Sequence, residues 1–482
     1  ALLPVLFLAF ALGSPWARAD GMGDAGAQQT EALAGKGTSL DHTPLTLEGA
    51  RRLLGEADVA GLAQAFAAHA AAYSEGGMSG GDFAAPFGAF YVSDPQRIAT
   101  LERWREAAPE SADPYAALAN IHLHIATVYR GQAYAHQVFP PQAAAAREHW
   151  AIARGYADQA LARDPGHLVA ASALANIGRW TNQPALSALA DRLWAPHASP
   201  LRLLRQGINR RLPQWSGSMN EVQAFCRAEA PSVEGVSIDE CLAVGVIASN
   251  KGDAALHREA LAVLRADTDG VFRYDVFRAL MRIGARREAA VYAEAEDLEL
   301  GYQQLRRLPR DAPIVRRMTE LWLSRNPTHP YHNMTLAEFA VAEGDETTAR
   351  AALERAQVWG RPIATVQAGR GYLLDQLGYG AEALAAIEEA IENTDNHGDA
   401  WLWSIGMLLN RERPLGQLAV KAHDDARAGA ADDGTMCRLR RVLAAYPAAC
   451  AGPRAIGGMC ADDVARRVNT MRSGLSAAAC GG

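Results

Sequence analysis

The chain has 482 residues, a formal net charge of −7 and six cysteines. Its charges are interspersed without blocks of one sign, so the overall balance argues against a nucleic-acid-binding surface. The most basic stretch, 306–317, contains no aromatic residue on which a base could stack, and we interpret it as a solvated loop that leads into a helix.

The first 19 residues have the pattern of a secretory signal peptide. An apolar run over 2–12 is followed by Pro15, which ends any helix, and by Ala17-Arg18-Ala19, with small residues where a signal peptidase reads them. The run is shorter than the roughly 20 residues that span a bilayer. We therefore expect cleavage after Ala19, a flexible leader over 20–45 and a bacterial protein that is periplasmic or secreted. The alternative for the apolar run is a core helix or an uncleaved anchor.

Helical periodicity begins after Thr46 and continues through the chain, and no segment has a convincing strand alternation. Both capping boxes, Ser218 with Glu221 and Ser237 with Glu240, predict helix starts. The resulting fold class is all-α. The other predicted helices of the N-terminal half comprise two within 47–76, two within 94–131 separated by Pro109, and single helices over 142–163, 168–178 and 184–194.

Two stretches 34 residues apart, 342–356 and 376–390, share a skeleton of small residues with free variation between them. A period of 34 is typical of stacked helix–turn–helix units. It predicts helices over 331–343, 346–358, 364–377 and 380–392, paired as two antiparallel hairpins. The aligned pairs are Gly344 with Gly378, Ala349 with Ala383, Leu353 with Ile387, and Ala356 with Ala390.

This skeleton resembles the tetratricopeptide repeat, which favours small, small, large and small residues at these offsets. The Trp usual early in the first helix is replaced by Asn333 and Gln367. A third, degenerate hairpin from about Asp399 keeps it as Trp401, with its paired alanines two residues late. The resemblance implies a right-handed solenoid of antiparallel helical hairpins.

The N-terminal half resembles a bacterial domain-of-unknown-function family of secreted, tetratricopeptide-like proteins. The resemblance covers about 46–300 and implies helical hairpins with no assigned activity. Its motifs are Trp104 with Pro109 and Ser111, Arg130-Gly131, and Trp215 with Gly217-Ser218. We expect a hairpin region over 46–300, tetratricopeptide-like repeats over 301–430 and a cysteine-containing cap over 431–482.

The tetratricopeptide resemblance implies binding of a protein or peptide on the concave wall formed by the first helices, by a non-enzymatic scaffold or adaptor without a cofactor. Two tyrosines and two acidic residues among the mapped positions would suit a segment with apolar and basic side chains. The alternative is that these are ordinary surface and packing residues. The mapped peptide-binding positions are Tyr331, Met334, Glu338, Val341, Thr365, Ala368, Tyr372 and Asp375.

Two other function classes stay open. A hydrolase or metal-dependent enzyme would have its site in the N-terminal helices, with His122, His124, His136 and Arg130 as candidates, if three or more converge in one pocket. A structural component of an envelope assembly is the other. His122 and His124 do not share a helix face, and the G-x-S-x-G match at Ser79 lacks the strand before the nucleophile.

The six cysteines predict disulfides, because an even count in an exported chain favours them and no CxxC motif occurs. Buried free thiols are the alternative. Cys226 lies near Cys241 in sequence. If two C-terminal helices over 435–446 and 461–473 pack antiparallel, the nested pairing joins Cys437 to Cys480 and Cys450 to Cys460.

Overall fold

The computed structural model describes residues 45–131, 138–196, 200–213, 217–249, 254–266, 271–298, 300–394, 400–428, 434–451 and 457–475. Within these ranges all regular secondary structure is helical, which confirms the all-α prediction. The predicted signal peptide and almost all of the predicted leader lie outside the described residues. None of the helices in these ranges is both long enough and apolar enough to cross a bilayer.

Contacts between residues divide the chain into two units. The first holds the described residues between 200 and 298. The second combines 45–131 and 138–196 with the described residues from 300 onward, so segments far apart in sequence pack into one body. The expected N-terminal hairpin region, 46–300, is therefore divided between the units. Its first part, up to 196, belongs to the second unit together with the residues from 300 onward, whereas 200–298 belong to the first unit.

The N-terminal arm of the second unit contains eight helices in its described residues. Helix α5 packs against α6, and α7 against α8, as hairpins, while α5 also contacts α7. Their bounds are α1 Leu47–Gly55, α2 Val59–Ser74, α3 Gly80–Ala84, α4 Pro95–Ala107, α5 Asp113–Arg130, α6 Pro140–Arg163, α7 Leu168–Thr181 and α8 Pro184–Trp194, with a 3-10 helix at Ala85–Phe90 after α3.

The first unit is a series of short hairpins. Both predicted capping boxes are present, with Ser218 and Ser237 as the N-caps of α10 and α11, and the disulfide between Cys226 and Cys241 joins these two helices. The helices are α9 Pro200–Arg210, α10 Met219–Glu229, α11 Ile238–Ala248, α12 Ala254–Arg265, α13 Arg273–Arg282 and α14 Arg286–Ala295, with a 3-10 helix at Ala230–Ser232.

The C-terminal arm of the second unit carries the predicted repeats. Helices α17 and α18 form one hairpin and α19 and α20 the next, with α17 also packed on α19, which confirms both predicted hairpins. The helices are α15 Tyr302–Leu305, α16 Pro313–Arg325, α17 Pro330–Glu343, α18 Glu346–Gly360, α19 Ala364–Gln376, α20 Gly380–Glu392, α21 Ser404–Leu408, α22 Pro414–Ala428, α23 Thr435–Ala451 and α24 Asp462–Gly474, with a 3-10 helix at Gly457–Cys460.

Both repeat glycines lie at the turns between paired helices, as predicted. Gly344 has φ 77° and Gly378 has φ 97°, a left-handed conformation that side chains with a Cβ rarely adopt. The aligned alanines Ala349 and Ala383 have no exposed surface, because each lies where the second helix of a hairpin crosses its partner. Small residues at these points let the backbones approach closely.

The third hairpin is short in its first helix, α21, which packs on α22. Trp401 is fully buried before α21, and Ala419 is fully buried on α22. The degenerate repeat is therefore a real hairpin, whose first helix is reduced to a little over one turn.

The C-terminal helices differ from the prediction at Pro447, which we expected in the loop. Helix α23 instead continues through Pro447 to Ala451. Burial of Tyr446 and Ala449 and the disulfide between Cys450 and Cys460 hold the last turn in place, which outweighs the missing amide hydrogen of Pro447. The pair Cys450–Cys460 agrees with the nested scheme, whereas Cys480 lies outside the described residues.

One type of helix–helix turn occurs in both arms of the second unit. Asp164-Pro165-Gly166-His167 joins α6 to α7, and Asn326-Pro327-Thr328-His329 joins α16 to α17. In each, Nδ1 of the histidine accepts a hydrogen bond from the backbone amide three residues later, at 3.3 Å and 3.4 Å respectively. A histidine that caps a helix in this way must be unprotonated at Nδ1.

The core of the second unit is continuous between its arms. Phe66, Phe87, Phe90 and Trp104 pack together in the N-terminal arm with ring centroids about 5–6 Å apart. The same apolar cluster extends to buried residues of α17, α18, α19 and α20. A second cluster spans α19 to α24.

Candidate interaction surface

The structure separates the eight mapped positions into two groups. Five have accessible side chains: Glu338, Thr365 and Tyr372 are exposed, while Tyr331 and Val341 are half-buried. The other three are buried, namely Met334, Ala368 and Asp375. These three side chains pack inside the unit and therefore cannot contact a ligand, because neighbouring helices and the α21–α22 hairpin cover them.

Both acidic residues of the mapped wall are engaged by arginines. An oxygen of Glu338 lies 3.0 Å from Nη2 of Arg310, and an oxygen of Asp375 lies 2.7 Å from Nε of Arg413. Asp375 is fully buried, and its second oxygen accepts the backbone amide of Leu415 at 2.7 Å. The expectation of a basic segment rested on free acidic groups, and these pairings remove its basis.

Tyr372 is exposed and Trp403 and Arg413 are half-buried; the Tyr372 ring contacts both of the others, and we call the three the Tyr-Trp-Arg patch. The Tyr372 side chain is 39% exposed, and its ring meets that of Trp403 edge to face at a centroid distance of 5.3 Å. The guanidinium carbon of Arg413 lies 5.6 Å from the centroid of the Tyr372 ring. Only Tyr372 belonged to the positions mapped from the repeat.

Three different elements position the patch. Tyr372 lies on the exposed side of α19, and the next two residues, Leu373 and Leu374, are buried and anchor the helix. Trp403 directly precedes α21, and its indole nitrogen donates to the carbonyl of Ala400 at 2.8 Å, which fixes the ring. Arg413 directly precedes Pro414, the first residue of α22, and Asp375 holds its Nε.

The patch keeps polar groups available for a ligand. Besides Asp375, Arg413 contacts the sulfur of Met407 through Nη2 at 3.9 Å, which is a weak acceptor. Its side chain is 29% exposed. The side chain is thus partly open to solvent, and no protein oxygen of the described residues accepts from the two terminal nitrogens of its guanidinium.

The candidate histidines of the N-terminal arm lie in two different clusters. Nδ1 of His122 lies 2.9 Å from Nδ1 of His149, and the His122 ring stacks on Tyr156. His124 faces another way, toward Tyr91 and His329. His136 lies outside the described residues. The structure thus places His122 and His124 apart, whereas the enzyme alternative requires them in one pocket.

His124 instead joins two histidines of the C-terminal arm. Its ring centroid lies 6.1 Å from that of His329, which lies 4.5 Å from that of His332. His329 and His332 lie at the start of α17, more than two hundred positions from His124 in the chain. We call His124, His329 and His332 the histidine cluster.

Hydrogen bonds fix the protonation of His124. The backbone amide of Ser93 donates to Oδ1 of Asn326 at 2.9 Å, so Nδ2 of Asn326 must be the atom that faces Nε2 of His124 at 3.4 Å. Because Nδ2 can only donate, Nε2 of His124 must accept. His124 is therefore neutral, with its proton on Nδ1.

Burial agrees with neutral rings. It lowers the pKa of His124 to about 4. Burial, and then repulsion from His124, lowers the pKa of His332 to about 3. The pKa of His329 falls well below its ordinary value for the same reason, with added repulsion from His332 and His124. No group of three or more His, Cys, Asp or Glu among the described residues has the arrangement of a metal site.

Ser79 has a structural role. Its hydroxyl accepts the amide of Asp82 at 3.1 Å and donates to the Asp82 carboxylate at 2.8 Å, forming a capping box at the start of α3. No strand precedes it, so the geometry of a nucleophile elbow is absent at this position.

Comparison with known proteins gives little further guidance. No family model matches this chain, and no curated protein matches it. Among solved structures, it is similar to two monomeric mutants of IFIT1, one with Gppp-AAAA and the other with m7Gppp-AAAA, each at 13% identity and a TM-score of 0.36, covering 90% of this chain and 92% of the other. A TM-score of this size does not define a shared fold.

Proposed function

We propose that this chain is an exported, non-enzymatic helical-repeat scaffold that binds a protein or peptide segment through the Tyr-Trp-Arg patch. The observation that carries the proposal is the composition and exposure of that patch. Tyr, Trp and Arg are the residue types that contribute most to the energy of protein interfaces. Here the Tyr372 ring contacts both Trp403 and Arg413, and hydrogen bonds to the Ala400 carbonyl and to the buried Asp375 hold these two side chains.

The rigidity of the patch supports a binding role. Asp375 fixes Arg413, and the carbonyl of Ala400 fixes the Trp403 indole, so a partner would meet side chains that are already ordered. Binding then loses less conformational entropy than it would with mobile side chains. Stacked helical hairpins provide such surfaces on a stable support.

The disulfides support export. Cys226–Cys241 and Cys450–Cys460 are both formed, and disulfides persist mainly in oxidising compartments. Together with the signal-like N-terminus, they favour the periplasm or the extracellular space. Mass spectrometry of the exported protein should find a mature N-terminus at Asp20, and a protein that retains the apolar run would contradict this part of the proposal.

The binding function is tested by affinity capture from periplasmic extract with the mature protein as bait. The parent is compared with Trp403→Ala and with Val358→Ala, a matched control in which another exposed apolar side chain, 46% exposed on α18, is removed. We expect a partner that the parent and Val358→Ala retain and Trp403→Ala loses. Equal retention by all three baits would overturn the assignment to this patch.

A further inference from the structure

We propose that the Tyr-Trp-Arg patch recognises a carboxylate that is flanked by an apolar side chain in the bound segment. This inference rests on the proposed function and specifies the chemistry of the partner. The carboxylate would lie against the outer edge of the Arg413 guanidinium, and the apolar side chain against the ring of Trp403. The Tyr372 hydroxyl would supply a further donor.

The first step of the argument is the charge around Arg413. Asp375 is the carboxylate bound to Arg413, but it serves two positive groups. One oxygen accepts from Arg413 Nε and the other from the Leu415 amide in the first turn of α22. The positive end of a 15-residue helix and a guanidinium thus share one negative charge. The surroundings of Arg413 therefore retain positive potential.

The neighbouring loop does not cancel this potential. Arg411 and Glu412 are both exposed on the same loop and carry opposite charges, so their contributions offset each other. The carboxylate of Asp375 is buried on the inner side of Arg413 and cannot reach the outer edge. Besides Asp375, α19 carries no acidic residue that would repel a second carboxylate.

The second step is geometry. Nε of Arg413 is occupied by Asp375 and Nη2 lies beside the sulfur of the buried Met407, so no protein oxygen of the described residues accepts from either terminal nitrogen. Two parallel N–H groups in one plane match the two oxygens of a carboxylate. The contact of Arg413 with the Tyr372 ring holds this plane beside the aromatic pair.

The third step is the apolar component. The indole nitrogen of Trp403 is already satisfied by Ala400, so the exposed part of this ring offers only apolar surface. It lies edge to face with Tyr372 and therefore borders the same surface as Arg413. A carboxylate alone would leave this aromatic surface in water, whereas a segment with an adjacent apolar side chain would cover it.

A peptide can supply the carboxylate from its C-terminus or from an acidic side chain, and defined probes distinguish the two. The probes are acetyl-glycyl-phenylalanine with a free carboxyl terminus, its C-terminal amide, and acetyl-aspartyl-phenylalanine amide. Binding is followed by ¹⁹F NMR of the full chain labelled with 5-fluorotryptophan. The signal of Trp403, one of ten tryptophans, is assigned by its loss in Trp403→Phe.

We expect at least one carboxylate probe to shift the Trp403 signal and to bind roughly tenfold or more tightly than the neutral amide, as charge-assisted hydrogen bonds require. Arg413→Gln should abolish this preference, and Arg411→Gln, the matched control on the same loop, should retain it. Tyr372→Phe should weaken carboxylate binding several-fold and leave binding of the amide unchanged.

Equal affinity of the parent chain for the acid and the amide, or no shift of its Trp403 signal with any probe, would overturn the inference. The capture experiment separates this failure from failure of the proposed function. A partner lost by Trp403→Ala but retained by Arg413→Gln would support the interaction surface and contradict the carboxylate.

Discussion

The side chains of Asn326 and His124 meet across 202 positions of the chain, with the amide of Asn326 donating to Nε2 of His124 at 3.4 Å. Oδ1 of the same asparagine accepts from both the amide and the hydroxyl of Ser93. Asn326 therefore joins α5, the segment before α4 and the turn before α17. The hydrogen bond between Asn326 and His124 requires a neutral His124, because a protonated ring would place the N–H of Nε2 against the N–H of the asparagine amide.

Stability should therefore fall in acid. The unfolded chain binds protons near the ordinary histidine pKa of 6.5, whereas His122 and His124 do so only near pH 4 and His332 near pH 3. Stability is thus fully present above pH 6.5 and is lost as the pH falls from there toward 4. The expected loss is about 1.4 kcal/mol per pH unit for each such histidine.

Replacing His124 by Gln should reduce this loss by the share of one histidine, because a Gln oxygen can accept from Asn326 without titrating. Urea unfolding of parent and variant at several values between pH 7.5 and 5 measures the slope. His423→Gln, at a half-buried histidine on α22 outside both groups of buried histidines, is the control for the loss of a histidine as such. If the stability of His124→Gln falls with pH as steeply as that of the parent, His124 is not one of the histidines that cause the loss.

Removing the buried carboxylate of Asp375 should destabilise the protein. Asp375→Ala leaves Arg413 without its acceptor and the Leu415 amide unpaired, at a cost on the order of 2–4 kcal/mol. The matched change is Glu338→Ala, which breaks a pair whose side chains are 43% and 44% exposed. It should cost no more than about 1 kcal/mol. Similar midpoints of urea unfolding in the two variants would show that the buried pair of Asp375 contributes no more to stability than the exposed pair of Glu338.

Enlarging a small residue of the repeat skeleton should also destabilise the fold. Ala383 has no exposed surface at the contact of α20 with α19, so Ala383→Leu should cost on the order of 1–3 kcal/mol by overpacking. The same change at Ala349 should behave alike. Ala381→Leu, two residues away on the exposed side of α20, should change the free energy of unfolding by less than about 0.5 kcal/mol. Thermal melts that rank the exposed variant as the less stable would refute the packing argument.

The disulfide between Cys450 and Cys460 closes a loop with a sequence separation of 10. Replacing both cysteines by Ser should lower the free energy of unfolding by about 2–3 kcal/mol, the value for loops of this length. A non-reducing peptide map should also show Cys437 joined to Cys480, a pairing that stays a prediction. Linkage of Cys437 to Cys450 or to Cys460 would refute the nested scheme.

The repeats were predictable because their signal is local. A glycine required at a left-handed turn and alanines required at a helix crossing recur at a fixed period, so Gly344, Gly378, Ala349 and Ala383 could be placed without a structure. Pro447 was placed wrongly because the burial of Tyr446 and the nearby disulfide, both tertiary effects, outweigh the local tendency of proline to end a helix.

The candidate surface was less predictable. Tyr372 could be mapped from the repeat, but Asp375 is buried because a later hairpin brings Arg413 and Leu415 against it. The sequence does offer one weak indication for Trp403. It follows the repeat position Trp401 by two residues, and residues at this spacing do not share a helix face, so one core does not bury both. Nothing local indicated that His124 would meet His329, because no pattern encodes contacts across two hundred residues.

The joint between the arms has a consequence for synthesis of the protein. Ser93 and Asn326, which bond directly, are separated by 233 positions. When the ribosome has made the first arm, the residues that cover α5 and its neighbours do not yet exist, and the whole first unit must still be translated. Such delayed contacts leave apolar surface open on a nascent chain. The N-terminal arm therefore has to remain unaggregated, alone or with a chaperone, until the last third of the chain arrives to complete it.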